Sequence, residues 1–278
     1  HTSSGRIPTS EGYKLYVEEL IKIRDISKEA KAKVVEAYNK KMNQIDMIFE
    51  ETSRLLSKIS KYAGVVLEPA IRQEGIRKVQ LVHINDTNIM AVIIMDSFLT
   101  KNLNIFLENP VDEEEVQNIN MILNDEINRS PNFTLSDLEK FLTNTDLFVP
   151  EDFQKNKMLN EGKLFFEGGS NLIESNTSDV MKIIDRVRFF NNPEDMKQIF
   201  LQFIQTDQFK DGEVNVIFGE DLDIAGLEDF SFVFSVYTMG DAKGIMGVIG
   251  PKRMKYSETV GLVEYVSEEV KQLLQKNK

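Results

Sequence analysis

The chain predicts an α+β fold, a sheet interrupted in mid-sequence by helices, and three observations predict it. Apolar residues alternate with period two in two separate blocks, at about 77–107 and 213–250. Between about Val111 and Phe209 the period lengthens to that of a helix. A last apolar stripe, Val263, Val266, Val270 and Leu273, closes the chain as a helix after Ser257. Strands, a helical block, strands again and a closing helix make an α+β arrangement.

The elements follow in order. The first sixteen residues, HTSSGRIPTSEGYKLY, are rich in Ser, Thr, Gly and Pro and carry Arg6 and Lys14 against Glu11. They read either as the continuation of something upstream or as a frayed terminus. From 27 to 62 the pattern is helical: Val35, Met42, Phe49 and Leu56 fall seven apart, as do Tyr38, Ile45, Thr52 and Ile59. One long helix is expected, lying on its own domain or pairing as a coiled coil, with Gly64 closing it. RKVQLVHI (77–84), NIMAVIIMD (88–96) and LNIFL (103–107) are strands, the first two joined by a turn at Asn85-Asp86-Thr87. The middle run is apolar throughout, as in a strand buried on both faces.

Asp112-Glu113-Glu114-Glu115 places acid in a first helical turn, where the macrodipole favours it. Val116, Ile119, Leu123 and Ile127 then form a stripe. A second helix opens at Ser136, with Glu139 completing a capping box and Leu138, Phe141 and Leu142 inside. KLFFEG (163–168) is a short strand, and helices are expected over 179–190 and 193–205, Pro193 suiting a first turn. EVNVIFG, FSFVFSVYT and GIMGVIG supply the second strand block, with Phe230, Phe232, Phe234 and Val236 on one face of the middle run.

Composition narrows the chemistry. With 278 residues, 41% hydrophobic and 28% charged, this is ordinary globular material. There is no Cys, and the two His, His1 and His83, share no metal-ligand spacing. His83 reads as a half-buried strand residue. EGGSN (167–171) lacks the Gly-Lys-Ser/Thr of a phosphate loop, and Glu220, Asp221 and Asp223 lack calcium-loop spacing. No catalytic constellation, metal site or cofactor is expected. A net charge of −12 and a pI near 4.9 argue against nucleic-acid binding by this polypeptide as it stands. No apolar run is long enough to span a bilayer, and the cytoplasm is the default compartment.

One stretch stands apart. GVIGPKRMKYSETVGLVEYVSEEV ends an apolar run in Gly250-Pro251 and gathers Lys252, Arg253 and Lys255 beside a helix start. It resembles the C-terminal signature of the heat-inducible transcription repressor family HrcA, matching at Gly247, Val248, Ile249, Gly250, Pro251, Arg253, Met254 and Tyr256. HTSSGRIPTSEGYKLYVEEL is similar to that family's exit from its winged-helix domain, and GGSNLIE (168–174) to a third segment. Two departures stand out: the recognition helix is absent, and 147–164 fits no family pattern.

The resemblance implies a repressor of chaperone operons that binds an inverted-repeat operator as a homodimer, with the GroEL chaperonin keeping it active. It implies a wing remnant at 1–16, a linker helix at 17–62, a GAF-like domain at 63–110 and 211–278, and a mostly helical inserted dimerisation domain at 111–210. Ser4 and Arg6 would be the DNA-contacting groups. Val116, Ile119, Leu123, Phe141 and Leu142 are interface candidates, Met254 and Tyr256 are anchors, and Arg253 is expected to pair with a carboxylate within its domain or across a two-fold axis. The alternative is a GAF-like small-molecule sensor, its pocket lined by Phe230, Phe232 and Phe234.

Overall fold

The structure is a computed structural model that describes residues 9–39, 44–70, 75–96, 99–107, 109–145, 162–173, 179–206, 208–239 and 242–276. The chain opens with α1 (Ser10–Leu20), α2 (Lys28–Tyr38) and α3 (Ile45–Ser60), each of the first two capped by the side chain before it, Thr9 and Ser27. The single linker helix expected over 17–62 is therefore corrected to separate helices. Val35 shows why the heptads do not run on: it is 42% exposed while Phe49 and Leu56 are sealed. Thr52 is buried too, its hydroxyl 2.6 Å from that of Tyr38.

Lys61, in the left-handed conformation at φ 68°, ends α3, so Gly64 is not the stop. Gly64 lies in β1 (Ala63–Leu67), where a Cβ would sit 2.0 Å from the Ser53 carbonyl oxygen. Glycine lets α3 pass directly over the strand.

Next come β2 (Ile76–Asn85), β3 (Asn88–Met95) and β4 (Thr100–Phe106), then α4 (Glu113–Arg129) and α5 (Leu135–Thr143). α5 starts earlier than expected because Thr134 and Asp137 form the capping box, which brings Leu135 into the core. After them lie β5 (Leu164–Glu167), α6 (Ser170–Ile173), α7 (Val180–Phe190) and α8 (Pro193–Gln205). β6 (Val214–Phe218), β7 (Phe230–Met239), β8 (Ala242–Pro251) and α9 (Tyr256–Lys276) complete the chain. α9 begins at Tyr256, ahead of the Ser257 cap expected.

The α+β class holds, but the strands divide differently from the expected single sheet. β5-β1-β8-β7-β6 form a five-stranded antiparallel sheet, and β2-β3-β4 form a sheet of their own. Strands β2–β4 cannot join the first sheet beside β1, because both edges of β1 are taken, by β5 and by β8. The excursion from the main sheet thus runs from the end of β1 to the start of β5, not over 111–210.

The main sheet is buried on both faces. Phe230, Phe232, Phe234 and Val236 of β7 face α7 and α8, whereas Val233 and Tyr237 face α3 and α9. In the smaller sheet one face, including Val79, Leu81, Ile89, Ala91, Ile93, Leu103 and Ile105, is sealed. The other is not, so β3 is buried on one face only, alternating buried and half-buried residues. α4 shields the outer edge of β2: Asn120 Oδ1 accepts from Leu81 N at 2.9 Å, and Asn124 both donates to Val79 O at 2.7 Å and accepts from Val79 N.

Candidate functional site

The loop after β8 is built from the residues that stood apart in the sequence. β7 and β8 pair in tight register, and a Cβ on Gly247 would lie 2.3 Å from Val233 O. Gly250 faces the Tyr62 ring and the Met254 methyl, either of which would be 2.9 Å from a Cβ there. Pro251 ends the strand, and Lys252 N still donates to Asp229 O at 2.7 Å. Met254 and Tyr256 are buried. The Tyr256 hydroxyl lies 2.6 Å from Lys252 O and 2.7 Å from Ser231 Oγ, and burial pushes its pKa well above the usual tyrosine value.

The cations of the loop behave differently from one another. Lys252 Nζ lies 2.6 Å from Glu220 Oε2, and its ammonium holds that carboxyl below the usual carboxylate range. Lys255, just ahead of α9, reaches Glu258 in its first turn at 3.1 Å. Arg253 is exposed, and among the described residues no ion pair holds it. The carboxylate pairing expected of Arg253 within the chain is made by Lys252 instead. The strand runs through Pro251, which turns Lys252 inward and leaves Arg253 at the tip.

The other expected sites are redistributed. Val116, Ile119, Leu123 and Leu142 are at most 7% exposed within the single chain, and Phe141 is half-buried. They pack α4 and α5 into the core beside the three-stranded sheet, so as candidates for an intermolecular face they are corrected. Ser4 and Arg6 lie outside the described residues. His83 is a strand residue whose Nε2 lies 2.9 Å from Val111 O.

Phe230, Phe232 and Phe234 line no pocket. Each is 1% exposed, and Phe190, Phe200 and Phe203 pack on them at centroid distances of 5.4, 6.1 and 5.2 Å. The glycine-rich run also has a packing role: Gly168, at φ 79°, lies so close to α3 that a Cβ would be 2.1 Å from Ser57 Oγ. Among the described residues no group of three His, Asp or Glu could hold a metal ion, and no helix is long and apolar enough to cross a membrane.

Two features escaped the sequence. One is an ion pair between Glu68 and Lys101, buried where the two sheets meet. The other is an apolar surface on the smaller sheet. On the face away from α4, Val82, Met90, Val92 and Ile94 are half-buried, and Phe106 is 59% exposed. Met90, Val92 and Ile94 follow one another on that face of β3 and Val82 pairs with Met90, while Gln80, Asn102 and Asn104 flank them and Phe106 pairs with Asn88. The uninterrupted apolar run of β3 was its only sequence signal.

Comparison with known proteins gives a consistent picture. Residues 46–260 match the family described as HrcA protein C terminal domain. The chain is 38% identical over 276 residues to the heat-inducible transcription repressor HrcA of Fusobacterium nucleatum subsp. nucleatum, covering 99% of this chain and 77% of the relative. It is 26% identical to the protein of that name from Leptospira biflexa and 27% identical to that from Geobacter sulfurreducens, covering 99% of this chain and 82% of each relative. A solved structure titled as a hypothetical protein superposes with a TM-score of 0.62 at 19% identity, over 100% of this chain and 82% of that one. That likeness is one of fold.

Proposed function

The chain belongs to the HrcA family of heat-inducible transcription repressors, and on that premise we propose that it is the dimerising and regulatory body of such a repressor. The family is one of repressors, not of enzymes. In this reading two copies hold a pair of DNA readers over an inverted-repeat operator of chaperone genes in the cytoplasm, protein symmetry matching operator symmetry. Ser4 and Arg6, at the entry to the body, would touch phosphate or minor groove. The five-stranded sheet with helices on both faces is read as the GAF-like domain. The GroEL chaperonin is the partner that keeps the repressor active.

The observation that carries the dimer is the open apolar face of the three-stranded sheet. In this reading the dimerisation unit is the excursion from β1 to β5, and its contact face is Val82, Met90, Val92, Ile94 and Phe106. A second copy is the occupant because a two-fold operator requires a self-complementary patch, and an apolar strip along β3, extended by Val82 and flanked by polar side chains, can meet itself about a two-fold axis.

Light scattering after size exclusion tests this. The wild-type chain should run as a dimer at micromolar concentration, and a Val92→Asp/Phe106→Asp variant as a folded monomer. A wild-type monomer, or a variant that stays dimeric, overturns the assignment. In the full-length repressor the same variant should lose operator affinity in a gel shift.

A further inference from the structure

We propose that the loop after β8 is the seat of helix α1, with Lys252 as the positioning residue that fixes the direction from which the chain enters the body. This deepens the repressor reading and rests on it for its consequence, since α1 carries whatever DNA reader precedes it.

The seat joins three segments distant in sequence. From α1, the Tyr13 hydroxyl donates to Lys252 O at 2.6 Å, the same carbonyl that the Tyr256 hydroxyl reaches. Lys14 Nζ lies 2.5 Å from Asp221 Oδ1 and 3.5 Å from Glu220 Oε1. Ser10 Oγ lies 3.3 Å from Glu220 Oε2, the oxygen that pairs with Lys252 Nζ. Glu220 is thus held from α1 and from the loop at once. Beneath the charges, the Tyr13 ring meets Phe218 edge-on at 6.3 Å, and both ammonium groups lie over the Phe218 face, at 5.6 and 5.8 Å.

α1 buries little else. Val17 is its one sealed side chain, and Leu15 and Tyr16 are 64% and 59% exposed. A helix of this length is marginal alone in water, so its orientation depends on the contacts that dock it. Beside the apolar stripe of Tyr13, Val17 and Leu20, which packs on the core, those contacts are polar and directional. Hydrogen bonds and charge pairs fix a helix in one rotational setting, whereas an apolar stripe allows sliding. The loop's backbone is itself immobilised by Pro251, Met254 and Tyr256, so the seat is rigid on the body side.

The test has two arms. Hydrogen exchange on this chain should show the α1 amides exchanging about tenfold faster in Tyr13→Phe/Lys252→Met, with β7, β8 and the dimer mass unchanged. Lys252→Arg, which keeps a cation for Glu220, should restore wild-type exchange. In the full-length repressor the double variant should bind operator about tenfold more weakly while remaining dimeric, because a reader free to reorient is no longer preorganised. Unchanged α1 exchange overturns the seat, as does exchange that rises equally in β7 and β8. Unchanged operator affinity with a loosened α1 overturns the positioning role. A wild-type full-length protein that ignores the operator contradicts the repressor reading instead, and exchange alone then decides the seat.

Discussion

Glu68 and Lys101 form an ion pair sealed where the two sheets meet, with 1% and 5% of their surfaces exposed. Glu68 follows β1 of the main sheet, and Lys101 belongs to β4 of the smaller one. Glu68 Oε2 also accepts from Lys163 N at 3.2 Å, and burial pushes its pKa up despite the neighbouring ammonium. The pair fastens the excursion to the body at a point where apolar side chains would allow other settings. Breaking it leaves a charge buried alone, so Lys101→Met should cost about 3–5 kcal/mol in urea unfolding. Glu68→Gln/Lys101→Met should recover most of that loss. A double variant as unstable as Lys101→Met would mean that the pair is not the source of the cost.

The edge of β2 offers a second prediction. Asn124→Ala leaves the backbone N–H and C=O of Val79 without their side-chain partner, an expected loss of about 1–3 kcal/mol. Since the bare edge can then pair with another strand, Asn120→Ala/Asn124→Ala should also aggregate faster on heating, read by light scattering.

Two glycines should respond very differently to the same change. Gly64→Ala drives a methyl into the backbone of α3, 2.0 Å from Ser53 O and 2.8 Å from Ser57 N, and should destabilise by about 1–3 kcal/mol or more. Gly12→Ala, on α1, meets only the Thr9 hydroxyl at 3.3 Å and should leave the melting temperature nearly unchanged.

Acid should release α1 late. The Lys252 ammonium, hydrogen-bonded to Glu220, lowers that carboxyl's pKa, so the stability it contributes is fully present above the ordinary carboxylate range. That stability is lost only as pH falls through the lowered folded-state value. The protection of the α1 amides, with the intrinsic pH dependence of exchange divided out, should therefore stay constant from neutrality to about the ordinary value of 4.5 and fall under stronger acid. In Lys252→Met that fall should be smaller, because less of the carboxyl's stabilisation is there to lose.

What the sequence made legible was local. α7 and α8 lie where the helical period placed them, with Pro193 in the first turn of α8, and Phe230, Phe232 and Phe234 share a face of β7. Start signals and periodicity report on a few neighbouring residues, and here tertiary packing agreed with them. Where two local signals competed, packing decided: Thr134-x-x-Asp137 prevailed over Ser136-x-x-Glu139 because it buries Leu135.

The sheet partition was not legible, because alternation marks a strand without naming its neighbour. Four residues, Leu164 to Glu167, take the edge of β1 and so exclude three longer strands. The site was half legible. Met254 and Tyr256 are the anchors their apolar character implied, but choosing between Lys252 and Arg253 required knowing where β8 ends. Glu68 and Lys101, far apart in sequence, carried no local sign of each other.

The pairing of Leu67 with Leu164 sets the two ends of the excursion side by side. Glu68 N donates to Lys163 O at 2.9 Å, so the chain departs and returns one strand's width apart. The smaller sheet with its helices is therefore a cassette whose termini already touch. It can be cut out and replaced by a tight turn, or exchanged for a foreign oligomeriser, without rerouting any strand that remains.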